Sequence, residues 1–353
     1  MSQTETIHVV SKKDNSQHAV VTIEHVSSAT RQLPPSSIRV RPLILSLSSN
    51  NLSYARAGEL LHWYVMMHGL PGVILIDFNR QRWDTYPVPS VAPAPYNDQS
   101  AWGIVPAWGY ATVLESTTDI APGSTLWGFW PSSGLPTDLT LIPSEPRGHW
   151  TEISEHRKRL MTYYNRYEVV SEEDRHTMAW TAAIRAIWGA GYLLSEYVFS
   201  PKGTPVHPYG AAAGLNWTTE DADLSSAVVV NLAASTKTAR SFTYNLLCRP
   251  AGSGPLGVLQ ITSSPEALER AAEQQIAKRQ SGAGPVKALA YSDIDRAVPW
   301  LVGLKPLKLV IIDYGARDNA LLRLRELVQR HEALQDCKVF IIQVGGQQKV
   351  WSS

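Results

Sequence analysis

From residue 227 onward the chain keeps one rhythm. Short apolar, β-branched runs at 227–231, 256–261, 286–290, 308–313 and 338–344 alternate with stretches of helical periodicity at 238–247, 265–279, 294–301 and 318–330. A strand that is apolar along its whole length needs cover on both faces, and helices alternating with such strands supply it. The pattern predicts an α/β fold in which 201–353 form a doubly wound parallel sheet of the nucleotide-binding type.

The residues before this part follow different rules. Most of the 23 prolines fall before Trp150 and punctuate short strand-like runs such as 37–47 and 73–78, so 1–150 read as an irregular β-rich domain. Residues 151–200 carry helical periodicity with no glycine or proline until Gly189, and read as a helical bridge. The loop PVPSVAPAPYNDQSA, 87–101, reads as a connector or a lid.

Composition narrows the partners. Charged residues are only 18% and the formal net charge is +1, so there is no electrostatic case for nucleic acid or a membrane surface. A small apolar substrate fits better, and a homodimer is left open. No apolar run approaches the roughly 18 residues of a membrane span, and the opening MSQTETIHVV lacks the basic start and apolar core of a signal peptide. The expected location is cytoplasmic. Cys248 and Cys337 supply neither a disulfide framework nor a cysteine-rich zinc shell, and the ten histidines show no His-Glu-x-x-His spacing, so no metal is expected. His62 and His68, flanking WYVMM, read as structural. Many of the 12 tryptophans lie between Trp63 and Trp150, as core packing or as the wall of an apolar pocket.

NLAASTKTARSF, 231–242, stands where a dinucleotide-binding fold has its glycine-rich phosphate turn, yet contains no glycine. A helix N-terminus offers backbone N–H groups and a positive dipole end to pyrophosphate with or without glycine. Small Ala233, Ala234 and Ala239 permit a near approach, while Ser235, Thr236 and Thr238 add hydroxyls and Lys237 adds charge. An ordinary N-capped helix would show the same residues. About 20 residues on, where NAD-selective folds place an acid, the second strand ends in Thr262, Ser263 and Ser264. These hydroxyls suit a 2′-phosphate, with Lys278 or Arg279 as candidate cations, so NADPH is expected over NADH; equally, TSSP caps the next helix.

Several stretches together resemble the zinc-free, quinone-reductase or enoyl-reductase side of the medium-chain dehydrogenase/reductase superfamily. Within it they are similar to a branch common in fungi and known only as a domain of unknown function. NNLSYA at 50–55 resembles that branch's Asn-Asn-x-Thr-Tyr-Ala signature. WGYATVLES at 108–116 with APGSTLWGFWP at 121–131 is similar to the superfamily's small-barrel segment. HRKRLMTYYNRY at 156–167 resembles a His-Arg…Tyr-Asn-x-Tyr element, and AASTKTA an Ala-Ser-Ser-Lys-Thr-Ala turn. The resemblance implies a GroES-like N-terminal domain, a Rossmann domain, a nicotinamide cofactor and no catalytic zinc. It also marks departures: AKRQSGAGPVKALAY replaces an expected Leu-Gly-x-Tyr-Asp run, and relatives carry a further strand after the one ending at Val344.

Reduction without zinc needs a donor that stabilises negative charge developing on oxygen. In the resembling superfamily the segment carrying Asn51 and Tyr54 lies beside the nicotinamide, which makes Tyr54 the candidate donor and Asn51 the candidate orienting group. A loop-fixing pair is the plainer reading. Tyr164 is the third catalytic candidate. Tyr163 and Tyr167, four residues apart on an expected helix face, and Trp108 are the candidate pocket walls. The expected function is an NADPH-dependent reductase of an apolar enone, ketone or quinone in fungal secondary metabolism. The alternative is a non-redox cyclase or isomerase that uses the same fold to shape a polyene or polyketide.

Overall fold

The computed structural model describes residues 2–26, 32–56, 73–75, 85–158, 160, 162–171, 174–208, 210, 215–250, 252–279 and 284–346; His62 and His68 lie outside them. The chain forms two compact units, one from 1–65, 78–186 and 348–353, the other from 66–77 and 187–347.

In chain order the first unit contains β1 (Ser2–Ser11), β2 (His18–Val26), β3 (Ser37–Ser46) and α1 (Ser49–Arg56). The short strand β4 (Val73–Leu75), in the second unit, interrupts the series. The first unit then resumes with β5 (Trp102–Gly103), β6 (Ala107–Ser116), β7 (Thr125–Trp130), β8 (Thr137–Ser144), β9 (His149–Glu152) and β10 (Arg166–Val170). Strands β10-β7-β6-β3-β8-β9 close into a barrel, and β2-β1-β5 form a separate antiparallel sheet. Alternation sets the two faces of β6 and β7. Ala111, Val113, Leu126 and Trp130 join Ile38, Leu139, Trp150 and Tyr167 in the barrel core, while Trp108, Tyr110, Trp127 and Phe129 pack with α1 and the helix after β10. The proline-rich 87–101 stretch is a series of turns whose Val88 and Ala92 pack on the separate sheet.

Residues 151–200 are not helical throughout. Their first part completes β9 and supplies β10, and helix α2 spans only Arg175–Leu193, followed by a π-helical turn at Leu194–Val198. The run RYEVV alternates with period two and is β-branched at its end, so it pairs with Thr125–Trp127 and with His149–Thr151 instead of coiling.

In the second unit come α3 (Thr219–Ala222), β11 (Ala227–Leu232), α4 (Lys237–Leu247), β12 (Gly257–Thr262), α5 (Pro265–Arg279), β13 (Val286–Ala290), α6 (Ala297–Leu304), β14 (Lys308–Tyr314), α7 (Ala320–Arg330) and β15 (Lys338–Gly345). The sheet order is β13-β12-β11-β14-β15-β4, parallel throughout. Val229, Val310 and Ile312 pack on Phe242 and Leu246 of α4, whereas Val228, Val230 and Ile311 face Leu301 of α6 and Leu324 of α7. Burial on both faces explains why these strands read as unbroken apolar runs. The sixth place, expected after Val344, is taken by Val73–Leu75 pairing with Ile341–Gln343, so this piece of the 73–78 run belongs to the parallel sheet.

One buried cation organises the barrel unit. Arg157, 1% exposed, donates from Nε to Asn165 Oδ1 (3.1 Å), from Nη1 to Tyr86 Oη (3.2 Å) and from Nη2 to the Tyr164 carbonyl (2.8 Å), with Glu152 Oε2 3.5 Å away. Asn165 Nδ2 returns a bond to the Arg157 carbonyl, and the Tyr86 and Tyr167 hydroxyls both donate to the Phe129 carbonyl. Burial opposes the charge, but Tyr167, Tyr86 and Glu152 hold the guanidinium protonated. Removing a partner from such a site strands the others in a dry interior. Arg157→Ala should therefore cost about 3–5 kcal/mol in urea unfolding, and Arg157→Lys, which lacks the planar fork, should recover less than half of it. A loss below about 1 kcal/mol for Arg157→Ala would contradict this account of the barrel.

Candidate functional site

The order of the parallel strands reverses at β11. The chain steps outward through β12 and β13, then returns to lay β14 on the other side of β11. Such a reversal opens a crevice at the carboxyl ends of the two central strands, where ligands of doubly wound sheets bind. The glycine-free turn leads out of that edge. Ala233 follows β11 with φ 57°, the left-handed conformation that glycine ordinarily supplies, and its carbonyl accepts from Thr236 N at 3.0 Å. Thr236 is extended and caps α4, its Oγ1 accepting from Ala239 N at 3.4 Å. Ala234 N donates to the Ile261 carbonyl, tying the turn to β12. Ser235 is exposed, and Thr236, Lys237 and Thr238 are half-buried.

Two of the expected cofactor hydroxyls are turned inward. Thr238 Oγ1 donates to the Ile187 carbonyl at 3.4 Å, because α2 runs against the first turn of α4. A Cβ at Gly191 would stand 2.4 Å from the Thr238 carbonyl, so glycine is what permits this approach. Thr262 is fully buried, and its Oγ1 accepts from Ser264 N at 3.2 Å. Only Ser263 and Ser264 of that trio are exposed. Lys278 sits in the last turn of α5, about 20 Å along the helix from Ser264 at 1.5 Å per residue. It is therefore no cation for a phosphate at that strand end, and the Arg279 side chain lies outside the described residues.

The same edge carries groups that sequence reasoning passed over. Tyr291, after β13, shares a hydrogen bond with the Ala233 backbone, and the Arg317 guanidinium lies 5.0 Å over its ring. Asp313, at the end of β14, accepts from Gly315 N (2.9 Å) and Ala316 N (2.7 Å), and burial pushes its carboxyl above the usual range. Asp318 and Asn319 follow with φ 59° and 53°, two consecutive left-handed residues before α7. Backbone strain of this kind gathers at ligand sites. The available signal was the density of turn residues in DYGARDN.

In the barrel unit, Tyr54, Trp108, Tyr163 and Tyr164 come together. Trp108 Nε1 donates to Tyr54 Oη at 3.0 Å, the Tyr54 and Tyr164 rings meet edge to face at 5.9 Å, and Trp108 lies 4.8 Å from Tyr163. Tyr163 is the exposed member; the other three are buried. Tyr167 is not with them. It stands on β10 in the barrel core while Tyr163 lies in a 3-10 turn, Thr162–Asn165, so the two share no helix face and Tyr167 is no pocket wall. Asn51 is engaged at both ends: Oδ1 accepts from Ser48 N (2.7 Å), and Nδ2 donates to the Pro106 carbonyl (3.0 Å). It pins the start of α1 to the segment before β6. Among the described residues no group of three or more His, Cys, Asp or Glu is placed to hold a metal.

Residues 78–353 match the family described as "Protein of unknown function (DUF2855)". The chain belongs to this family. The DUF2855 region begins after Asn51 and Tyr54 and takes in Trp108, the Arg157 network and β11 to β15. No curated protein matches the chain.

If the left-handed turn is required, Ala233→Gly should be neutral or should stabilise the protein by up to about 1 kcal/mol. Ala233→Val, β-branched at positive φ, should destabilise it by more than about 1 kcal/mol. Thermal unfolding of both variants checks the pair, and a clear loss on Ala233→Gly would show that the turn does not need this conformation.

Proposed function

We propose that the parallel-sheet unit is a Rossmann-type domain binding NADPH and the barrel unit a GroES-like domain. Together they would make a zinc-free reductase similar to medium-chain dehydrogenases, acting on an apolar enone, ketone or quinone. The observation that carries this reading is the strand order, with its reversal between β11 and β14 and a left-handed turn entering a capped helix at that point.

The residues fit the cofactor at the turn. Ser235 is exposed beside the first turn of α4, Thr236 caps that helix, and the Lys237 charge suits pyrophosphate. Ser263 and Ser264 would take the 2′-phosphate, since no carboxylate ends β12 to repel it. NADPH, when bound, supplies hydride to an electrophilic carbon. Tyr54 would donate to the oxygen where charge develops, its own oxygen fixed by the Trp108 indole. The buried ring cluster supports a second reading, a non-redox cyclase or isomerase that folds a polyene against Trp108, Tyr163 and Tyr164.

Calorimetry should find NADPH bound more tightly than NADH. Lys237→Ala should weaken both, and Ser263→Asp should lower NADPH affinity by roughly tenfold or more while sparing NADH. Equal affinities in the wild type would remove the phosphate argument, and no binding of either would leave the non-redox reading.

Tyr54→Phe should keep NADPH binding, lower single-turnover hydride transfer roughly a hundredfold, and cost about 1–3 kcal/mol of stability through the orphaned Trp108 indole. The assay uses an apolar enone with 4-deuterated NADPH. Full conversion without cofactor would sink the reductase reading.

A further inference from the structure

A strand covered on both faces should be apolar throughout. β12 departs from this at Gln260, 2% exposed between Leu259 and Ile261. Its Nε2 is buried with no hydrogen-bond partner, a condition that protein interiors rarely tolerate. Asn231 of β11 stands in register beside it. The Asn231 Nδ2 donates to Thr243 Oγ1 at 2.9 Å, and its Oδ1 is likewise unpartnered. Of the two atoms, the Gln260 donor faces a cavity, where it lacks an acceptor.

Gln260 and Thr243 line the sheet side of a cavity of about 210 Å³ between α4 and α5. Leu247 and Leu268 line it on the helix side together with Gln274 and Gln275, and Trp188 with Tyr244, rings 5.7 Å apart, adds an aromatic wall. Arg240 and Lys278, both exposed, reach it from the two helices. No carboxylate is among the described residues that line it, and Glu269 of α5 is paired instead with Lys287 Nζ at 3.2 Å. The volume suits a single-ring molecule and is far below that of a dinucleotide pocket.

We infer that this cavity binds a small apolar organic acid. The carboxylate lies toward the exposed Arg240 of α4, the apolar body lies against Leu268 and Trp188, and a carbonyl accepts from Gln260 Nε2. This orientation keeps the charge at the wet rim and sends only a neutral acceptor inward, which avoids burying an ion. The inference is independent of the nucleotide reading, since the cavity lies along the bodies of α4 and α5 and takes in none of Ala233–Thr236 or Ser263–Ser264.

The probe is 4-acetylbenzoate, with 4-ethylbenzoate lacking the carbonyl and 4-acetylbenzyl alcohol lacking the charge. Titration calorimetry should give saturable binding of 4-acetylbenzoate near or below about 1 mM, with both analogues roughly tenfold weaker. Gln260→Leu should weaken 4-acetylbenzoate roughly tenfold and leave 4-ethylbenzoate unchanged, and Arg240→Gln should weaken both acids to a similar extent. Ala271→Leu, which narrows the cavity without touching a polar group, should abolish binding while keeping the thermal midpoint. No saturable binding up to about 10 mM would overturn the proposal. So would unchanged affinity in Gln260→Leu or, should that variant fail to fold, in Ala271→Leu.

Discussion

A guanidinium enclosed by a small barrel has no water to answer its five N–H groups, so the chain around Arg157 must answer them. That requirement fixes much of the first unit at once. Asn165 accepts from Nε and binds back to the Arg157 carbonyl, which locks the turn between β9 and β10; Tyr86 brings in a distant loop; Tyr86 and Tyr167 both close on the Phe129 carbonyl in β7. The His-Arg…Tyr-Asn-x-Tyr element is therefore a folding device. Gly128 belongs to the same arrangement, since a Cβ there would stand 2.2 Å from the Tyr167 ring.

The second unit solves a different problem: turning a buried parallel strand sharply into a helix without glycine. Alanine is the smallest residue with a side chain, and at Ala233 it accepts the left-handed conformation at a cost of about 1–2 kcal/mol. The surrounding contacts impose that conformation. Ala234 N is bonded to Ile261, the Ala233 carbonyl to Thr236, and Tyr291 reaches the Ala233 backbone from the end of β13. Strain recurs across the crevice at Asp318 and Asn319, so the carboxyl edge is lined on two sides by loops held away from their relaxed conformations.

Hydrophobic periodicity is a local property, and the elements it governs were legible. Strands β11 to β15 and helices α4 to α7 lie within a few residues of their expected places, because strands buried on both faces leave a nearly unbroken apolar trace. The reading failed where helix and strand patterns coincide over a few residues, as in RYEVV, whose pairing partners in β7 and β9 outweighed the surrounding helical spacing. It also placed the 73–78 run in the β-rich domain. The partner of Val73–Leu75 is β15, more than 250 residues away, and no local pattern encodes that pairing.

The candidate site divides along the same line. The sequence by itself determined that a hydroxyl-rich, glycine-free turn follows a buried strand, that the next strand ends without an acid, and that aromatic residues crowd the first unit. Only the tertiary structure decided which of those groups meet. It gathered Tyr54 with Trp108, Tyr163 and Tyr164, sent Tyr167 into the barrel, turned Thr238 toward α2 and sealed Thr262 under Ser264. It also brought Tyr291 and Arg317 to the turn and left Gln260 unanswered beneath α4 and α5. The physical reason is that composition and spacing fix what a side chain can bond, whereas the partner it finds depends on packing between segments far apart in the chain.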